Sequence, residues 1–133
     1  MRIISGSLKG KSINFLKNST TRPLKDAVRE NIFNVLKHSN LINGIVENAN
    51  ILDLYSGIGS FGLECISRGA KKVTFVEYDK DAANILNENL IKLNVINKAL
   101  IINNKVDKIL EKKKAEKFDI FFFDPPFADK EFE

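Results

Sequence analysis

Short continuous apolar runs alternate along the chain with longer stretches in which apolar residues recur every three or four positions. The continuous runs predict strands that are buried on both faces, and they occupy residues 51–54, 72–77, 99–102 and 118–124. Asp79 can cap the helix after the second run, and the apolar stripe of that helix is Ala82, Leu86, Leu90 and Leu93. Strands that alternate with helices predict an α/β fold with a Rossmann-like, doubly wound parallel sheet.

Two shorter helices complete this pattern. We expect one from near Ser60 to about Arg68 and another from Val106 to about Lys113. Few residues follow the last apolar run, because the sequence ends at Glu133. A four-stranded open sheet whose last strand lies at or near an edge is a marginal construction. We therefore expect that the sheet is truncated after its fourth strand and that the C-terminal part of the core is missing.

The first forty residues follow a different pattern. Residues 2–4 and 12–15 are short extended runs around glycines and a serine, which predicts a β-hairpin. Pro23 then opens a helix with apolar residues at helical spacing, and a glycine-containing linker follows. The chain accordingly divides into an N-terminal hairpin and helix, residues 1–40, and an α/β core, residues 50–133.

Charge is distributed unevenly between these two parts. The net charge is +4, but residues 1–40 carry eight Lys and Arg against two acids, whereas residues 41–133 carry thirteen against fifteen. A basic segment attached to a mildly acidic body indicates contact with a polyanion such as RNA. Charge alone leaves open that the segment is only a lysine-rich solvated surface.

The residues that the sequence lacks exclude several classes of protein. No stretch has the roughly 18 consecutive apolar residues of a membrane span, and the first residues contain no apolar block of secretory-signal length. The single cysteine, Cys65, cannot form an internal disulfide, and a single histidine, His38, does not make a metal site. We expect a cytoplasmic monomer that uses no metal and contacts no membrane, with Cys65 as a small core residue.

A glycine-rich turn joins the first predicted strand to its helix. It runs from Asp53 to Gly62 and includes Gly57 and Gly59, which allow a tight turn and the close approach of a ligand. Glu77 ends the next strand, twenty residues after Gly57, where a carboxylate can accept hydrogen bonds from ribose hydroxyls. The same spacing satisfies the dinucleotide fingerprint, so a nicotinamide-dependent oxidoreductase is a rival interpretation. Asp53 disfavours it, because its charge opposes a pyrophosphate and suits a cationic sulfonium ligand with an ammonium group.

The tetrapeptide Asp124-Pro125-Pro126-Phe127 directly follows the fourth apolar run. It therefore lies at the same carboxyl edge as the glycine-rich turn, where open parallel sheets bind ligands. The exocyclic amine of a base is a poor nucleophile. Hydrogen bonds from this amine to Asp124 and to the stiff Pro125 carbonyl would favour the charge that develops as nitrogen attacks a methyl carbon. With Phe127 as a stacking wall, these residue types predict an amino-methyltransferase site.

Three blocks of sequence resemble the bacterial family of 16S rRNA guanine-N2 methyltransferases, which are class I enzymes that use S-adenosylmethionine. Residues 2–6 with Lys9-Gly10-Lys11 resemble the family's N-terminal hairpin, and residues 22–36 resemble its Arg-Pro-Thr…Val-Arg-Glu helix entry. The third block runs from Leu52 through the glycine-rich turn to the tetrapeptide. The first two blocks carry the family assignment, because the third is shared with many amino-methyltransferases.

Taken with the patterns above, the resemblance implies a function and a set of site residues. The function is methyl transfer from S-adenosylmethionine to the exocyclic N2 of a guanine in 16S rRNA, either free or in a small-subunit assembly particle. The implied catalytic residues are Asp124, Pro125, Pro126 and Phe127. The implied cofactor-binding residues are Asp53, Tyr55, Gly57, Gly59, Glu77, Tyr78 and Asn104. The implied RNA-binding residues are Arg2, Lys9, Lys11, Arg22 and Arg29.

The sequence departs from the family pattern at a few positions, and alternatives to this function exist. Leu24 replaces the family's threonine, Ala27 replaces a usually basic residue, and relatives continue for several elements beyond the tetrapeptide. An adenine-N6 or other amino-methyltransferase would use the same tetrapeptide, although the N-terminal blocks disfavour it. A nicotinamide-dependent oxidoreductase leaves the tetrapeptide without a role. A non-catalytic RNA-binding fragment is the remaining alternative.

Overall fold

The computed structural model describes residues 2–15, 46–112 and 117–125 of the chain. The predicted helix after Pro23 lies outside these residues. Four of the predicted site residues also lie outside them, namely Arg22, Arg29, Pro126 and Phe127. In the part of the chain that the structure describes, no helix combines the length and the apolar character needed to cross a membrane.

Four parallel strands form one sheet in the order β3-β2-β1-β4. Their bounds are Asn50–Leu54 for β1, Lys72–Val76 for β2, Ala99–Ile102 for β3 and Ile120–Phe123 for β4. The α/β prediction is thus confirmed, and each apolar run contains a strand. Two strands are shorter than predicted, because β2 ends before Glu77, and β4 begins after Asp119 and ends before Asp124.

Three α-helices and one short 3-10 helix connect the strands. The α-helices are Ser60–Ser67 (α1), Lys80–Lys92 (α2) and Val106–Lys112 (α3), and the 3-10 helix is Ile96–Lys98. Asp79 caps α2 as predicted, since its side chain accepts hydrogen bonds from the N–H groups of Asp81 and Ala82 at 2.9 and 3.2 Å. The predicted apolar stripe of α2 is buried as well.

The helices cover both faces of the sheet. On one face α1 and α2 pack over a core that includes Phe61, Cys65, Val73, Phe75 and Leu86. On the other face α3 packs through Val106 and Ile109 against apolar side chains of β1 and β2. The strand order runs from β1 outward to β3, and the chain then returns to place β4 on the opposite side of β1. Such a reversal opens a crevice at the carboxyl ends of the two strands that flank it, here β1 and β4.

Residues 2–15, which we call the N-terminal segment, contain one antiparallel bridge, between Arg2 and Ser12. The N–H of Ile3 donates to the Lys11 carbonyl at 2.9 Å, and the N–H of Gly10 donates to the Ile3 carbonyl at 2.8 Å. The predicted antiparallel pairing is present, but regular hairpin strands are not formed. The N–H groups of Ile4 and Ser5 donate to Glu64 of α1 and not to a partner strand, while Ile3 and Ile13 are buried in the core, so the segment follows the helices.

The aromatic run of β4 is less buried than predicted. The side chain of Phe122 packs on the core, with its ring stacked on Phe61 at a centroid distance of 3.7 Å. Phe121 and Phe123 are 59% and 50% exposed. The expectation of a wholly buried strand was therefore wrong. Within the described sheet β4 is an edge strand, and the buried residues of α3 pack against β1 and β2 and not against these two rings.

Candidate active site

The carboxyl ends of the strands bring the predicted site residues together at one edge of the sheet. Tyr55 follows β1, Glu77 follows β2, Asn103 follows β3 and Asp124 follows β4. The last residue of β1 is paired in register with the last residues of β2 and β4, so the residues that follow these three strands are neighbours. We call this region the carboxyl edge.

Glu77 organises the glycine-rich turn at the carboxyl edge. Its Oε1 accepts a hydrogen bond from the N–H of Gly57 at 2.7 Å, and its Oε2 accepts one from the N–H of Asp79 at 2.8 Å. Gly57 has a φ of 58°, and among the described residues other than its chain neighbours no atom lies within 4 Å of the position that a Cβ would occupy. Gly59 has a φ of 92°, and a Cβ there would clash with Leu86. The turn is therefore packed against α2 on one side and open on the other.

Asp53 lies under the turn and not on the surface. Its side chain is 1% exposed, and its Oδ2 accepts a hydrogen bond from the N–H of Gly62, in the first turn of α1, at 3.2 Å. Burial raises the pKa of the Asp53 carboxyl well above its usual range, although the bond from Gly62 opposes this, and the charges of Asp124 and Glu77 raise it further. Burial also raises the pKa of Glu77, against hydrogen bonds from the N–H groups of Asp79 and Gly57.

The tetrapeptide is described only as far as Pro125. Asp124 and Pro125 leave β4 at the carboxyl edge, and desolvation raises the pKa of the Asp124 carboxyl. The charges of Asp124 and Glu77 add to the effect of burial on the pKa of Asp53. A bound cation would favour their ionised forms. Pro126 and Phe127 lie outside the described residues, so their roles stay predictions.

Two tyrosines flank the glycine-rich turn and the end of β2. Tyr55 has a φ of 57°, and the edge of its ring contacts Phe123 with centroids 5.3 Å apart. Tyr78 is 64% exposed, and the Nζ of Lys105 lies 5.4 Å from the centroid of its ring. Both predicted positions therefore place aromatic surface near the carboxyl edge.

The two asparagines after β3 differ in position. Asn103 donates through Nδ2 to the carbonyls of Glu77 and Tyr78, at 2.8 and 3.0 Å. The Oδ1 of Asn104 instead accepts a hydrogen bond from the N–H of Lys105 at 2.8 Å. Asn103 thus contacts the residues after β2. The sequence analysis did not identify Asn103 as a site residue, and the role of Asn104 stays a prediction. The missed signal was the strand end itself, because the first residue after a parallel strand lies at the ligand-binding edge.

Three of the predicted RNA-binding residues belong to the N-terminal segment. The side chains of Arg2, Lys9 and Lys11 are all exposed. Lys92 of α2 adds a cation beside them, since its Nζ contacts the Oγ of Ser12 at 2.9 Å and the Oδ1 of Asn14 at 3.2 Å. The other two predicted residues, on the helix after Pro23, lie outside the described part of the chain.

Two further buried polar residues near the turn were not predicted. Within the described residues, the buried Oγ of Ser56 has no hydrogen-bond partner. Asn89 is fully buried on α2 and donates through Nδ2 to the Ile58 carbonyl at 3.2 Å. A signal for Asn89 existed, because its spacing of three from Leu86 places a polar residue on the buried face of a helix. Within the described ranges, including the carboxyl edge, no group of three or more His, Cys, Asp or Glu side chains could hold a metal ion.

Known proteins resemble this chain in sequence and in structure. Over 129 residues it is 38% identical to the "Ribosomal RNA small subunit methyltransferase D" of Haemophilus influenzae, in an alignment that covers 96% of this chain and 64% of that protein. The chain thus spans less than two thirds of that relative's length. A hypothetical protein of Thermus thermophilus has a solved structure that matches with a TM-score of 0.83 and 27% identity, over 98% of this chain and 71% of that chain.

A more distant match concerns the fold alone. An RNA methyltransferase from Salinibacter ruber, solved in complex with S-adenosyl-L-homocysteine, matches with a TM-score of 0.55 and 17% identity. The match covers 65% of this chain and 52% of that chain. The sheet and its helices are therefore those of a Rossmann-like methyltransferase fold. Because the profile of the family Cons_hypoth95, described as "Conserved hypothetical protein 95", matches residues 1–133, the chain belongs to that family.

Proposed function

We propose that this chain supplies the cofactor-binding and amine-binding elements of an S-adenosylmethionine-dependent methyltransferase. In this proposal the methyl acceptor is the exocyclic N2 of a guanine in 16S rRNA, free or in a small-subunit assembly particle. The observation that carries the proposal is the hydrogen bond from the N–H of Gly57 to Glu77, at the same edge of the sheet where Asp124 leaves β4 and above the buried Asp53.

The residues of the carboxyl edge fit S-adenosylmethionine. Glu77 accepts one backbone hydrogen bond on each carboxylate oxygen, which leaves further lone pairs for ribose hydroxyls. Gly57 leaves space at the turn, and Tyr55 and Tyr78 offer aromatic surface on either side. When bound, this cofactor supplies an electrophilic methyl group on a positively charged sulfur.

The electrostatics of the carboxyl edge separate this cofactor from a nicotinamide dinucleotide. Burial, and then the charges of Asp124 and Glu77, raise the pKa of Asp53, so an anion at the turn would be a further like charge that disfavours ionised carboxylates. A pyrophosphate is such an anion, whereas a sulfonium and an ammonium are cations. The site therefore supports the methyltransferase over the rival oxidoreductase. The shared fold of the Salinibacter ruber enzyme, solved with S-adenosyl-L-homocysteine, is consistent with that choice.

Asp124 is the proposed catalytic acceptor for the target amine. Its carboxylate and the Pro125 carbonyl accept the amine's N–H groups, which offsets the positive charge that nitrogen develops as it gains the methyl group. Asp124 is exposed at the end of β4, where an incoming amine can reach it, and partial desolvation raises the pKa of its carboxyl. Phe127 stacks on the base, which must be swung out of any helix to reach the site.

The choice of rRNA as substrate rests on the relatives and on charge. The Haemophilus influenzae relative is named for methylation of small-subunit rRNA, and Arg2, Lys9 and Lys11 present exposed cations on the N-terminal segment. In the proposal residues 1–40 contact the RNA phosphates, residues 50–133 bind the cofactor, and the protein acts as a cytoplasmic monomer without a metal. The described site contains nothing that separates the amine of guanine from that of adenine, so the choice of guanine rests on the resemblance.

Two measurements test this function. Calorimetry on the 133-residue chain should detect binding of S-adenosylmethionine and of S-adenosylhomocysteine, and no binding of nicotinamide dinucleotides. Labelled methyl transfer to small-subunit rRNA is then measured with the longest native protein that contains this chain, and the product nucleoside is identified. N2-methylguanosine is the expected product. Binding of a dinucleotide in place of S-adenosylmethionine contradicts the cofactor, and N6-methyladenosine contradicts the base.

A further inference from the structure

One side chain bonds both to the N-terminal segment and to the glycine-rich turn. Asn89 accepts a hydrogen bond through Oδ1 from the N–H of Asn14 at 2.7 Å. Its Nδ2 donates one hydrogen to the Asn14 carbonyl at 3.1 Å and the other to the Ile58 carbonyl at 3.2 Å. Asn89 is fully buried, so no water competes for these bonds. Both N–H groups of its side-chain amide therefore donate hydrogen bonds, one to the N-terminal segment and one to the glycine-rich turn.

Glu64 and Ser67 attach the beginning of the N-terminal segment to α1. Glu64, buried on α1, accepts hydrogen bonds from the N–H groups of Ile4 and Ser5 at 2.9 and 3.0 Å. Ser67 accepts one from the N–H of Leu8 at 2.9 Å and donates to the Ser5 carbonyl at 2.5 Å. These contacts hold the beginning of the segment at α1. Asn89 holds its end, next to the cofactor turn.

Ile58 lies between the two glycines of the turn, where the backbone has the most freedom to move. Helix α2 limits that freedom at two points. Leu86 fills the space beside Gly59, and one helical turn later Asn89 holds the Ile58 carbonyl. A displacement of Asn14 therefore pulls on the same amide group that holds the turn.

We propose that Asn89 is a positioning residue that couples cofactor binding at the glycine-rich turn to RNA binding along the N-terminal segment. This inference rests on the proposed function. RNA that binds residues 2–15 and holds them in place also holds Asn14, and with it the Asn89 side chain to which Asn14 is bonded. Because the same side chain bonds to the Ile58 carbonyl, the turn is then ordered before the cofactor binds. Because coupling is reciprocal, the cofactor must tighten RNA binding by the same factor by which RNA tightens cofactor binding.

The experiment measures that factor in the full chain. S-adenosylhomocysteine is titrated by calorimetry into the free protein and into the protein saturated with a small-subunit rRNA transcript. We expect RNA to tighten binding in the wild type by at least about fivefold, the lower end of typical coupling. In Asn89→Ala the factor should fall to about one. Ser67→Ala is the matched control, because it removes two bonds of the N-terminal segment but none to the turn, and its factor should equal that of the wild type.

Amide hydrogen exchange provides a second readout that needs no ligand. In Asn89→Ala, the amides of residues 13–15 and 57–59 should exchange faster together. In Ser67→Ala, only those of residues 5–8 should change. If Asn89→Ala does not fold, Asn89→Ser, which keeps a polar group of smaller size, replaces it in both measurements.

The outcomes separate the coupling from the function on which it rests. Wild-type protein that binds neither S-adenosylhomocysteine nor the transcript overturns both. Wild-type protein that binds both ligands without coupling, or an Asn89 variant whose factor equals that of the wild type, overturns the coupling alone. A loss of coupling in Ser67→Ala as large as in Asn89→Ala also overturns it, because any loosening of the segment would then suffice.

Discussion

The N-terminal segment and the carboxyl edge both place polar groups against the core, but they treat those groups in opposite ways. Under the segment, the buried carboxylate of Glu64 on α1 accepts the N–H groups of Ile4 and Ser5 and also pairs with Arg68 at 2.9 Å. At the carboxyl edge, burial raises the pKa of Asp53, and the charges of two other acids raise it further. The nearby hydroxyl of Ser56 has no hydrogen-bond partner within the described residues.

The difference indicates which region attaches and which region binds. A buried charge that is paired and hydrogen-bonded holds two parts of the chain together. Burial and two nearby acids oppose the ionisation of Asp53 against a single hydrogen bond from the N–H of Gly62, and a bound cation would favour the ionised form. We therefore assign attachment to the segment's contacts with α1 and α2, and ligand binding to the carboxyl edge.

The largest expected effect concerns Asp124. Asp124→Ala should lower methyl transfer about 100- to 1000-fold, because it removes an acceptor that opposes charge in the transition state. The affinity for S-adenosylmethionine should change little, and single-turnover methyl transfer together with calorimetry checks both. Asp119→Ala is the control, since Asp119 lies near the other end of β4 and bonds to the N–H of Asn50. A collapse of cofactor affinity with normal transfer per bound cofactor would show that Asp124 has a different role.

A pair of glycines compares the two regions directly. Gly57 and Gly10 have φ values of 58° and 82°, and in the described part of the chain a Cβ at either would meet no atom within 4 Å beyond those of the adjacent residues. Substitution by alanine should cost each region about 1–2 kcal/mol of stability from the left-handed backbone. Only Gly57→Ala should also weaken S-adenosylhomocysteine binding, by about tenfold or 1.4 kcal/mol, because its Cβ enters the ligand's space. Thermal unfolding and calorimetry measure the two effects, and equal affinities in the two variants would contradict the site.

Asp53→Asn tests the electrostatic half of the comparison. A folded-state pKa above the unfolded value means that the wild-type free protein loses stability as pH rises through the folded pKa. The asparagine can still accept the N–H of Gly62, so the variant should lose less stability over that range. The affinity of the Asp53→Asn variant for S-adenosylmethionine should be lower than that of the wild type. As pH rises, this affinity should also increase less steeply than that of the wild type. The free energy of unfolding and the binding affinity, both measured across pH, check this prediction. Because the pKa of Glu77 is raised as well, the variant should keep part of the pH dependence, with the same sign. An unchanged pH dependence of both quantities would contradict the role of Asp53.

The smallest expected effect concerns the exposed lysines of the N-terminal segment. If Lys9 and Lys11 contact phosphates, replacing both by alanine should reduce the slope of log RNA affinity against log salt by about two. Cofactor affinity should not change. A double substitution of Lys108 and Lys117, which are exposed lysines outside the segment, is the control. Equal slopes in the wild type and in the Lys9 and Lys11 variant would mean that the segment is only a solvated surface.

The sequence alone determined the order of the elements and the edge that carries the site. Apolar runs and helical stripes are local patterns, because burial on both faces of a strand or on one face of a helix repeats with the period of that element. Asp79 could be identified as a cap for the same local reason. The rule that parallel sheets bind ligands at their carboxyl ends then placed Glu77 and Asp124 at one edge.

Only the tertiary structure decided how the N-terminal segment is attached and which neighbours each site residue has. Glu64 bonds to residues 59 and 60 positions away, and Asn89 bonds to Asn14 across 75 positions. No local period encodes such pairs. The exposure of Phe121 and Phe123 was decided by the position of β4 at the edge of the described sheet. The period of the apolar residues indicates which side chains can be buried. Whether a side chain is buried depends on whether another element covers it, and therefore on how the whole chain packs.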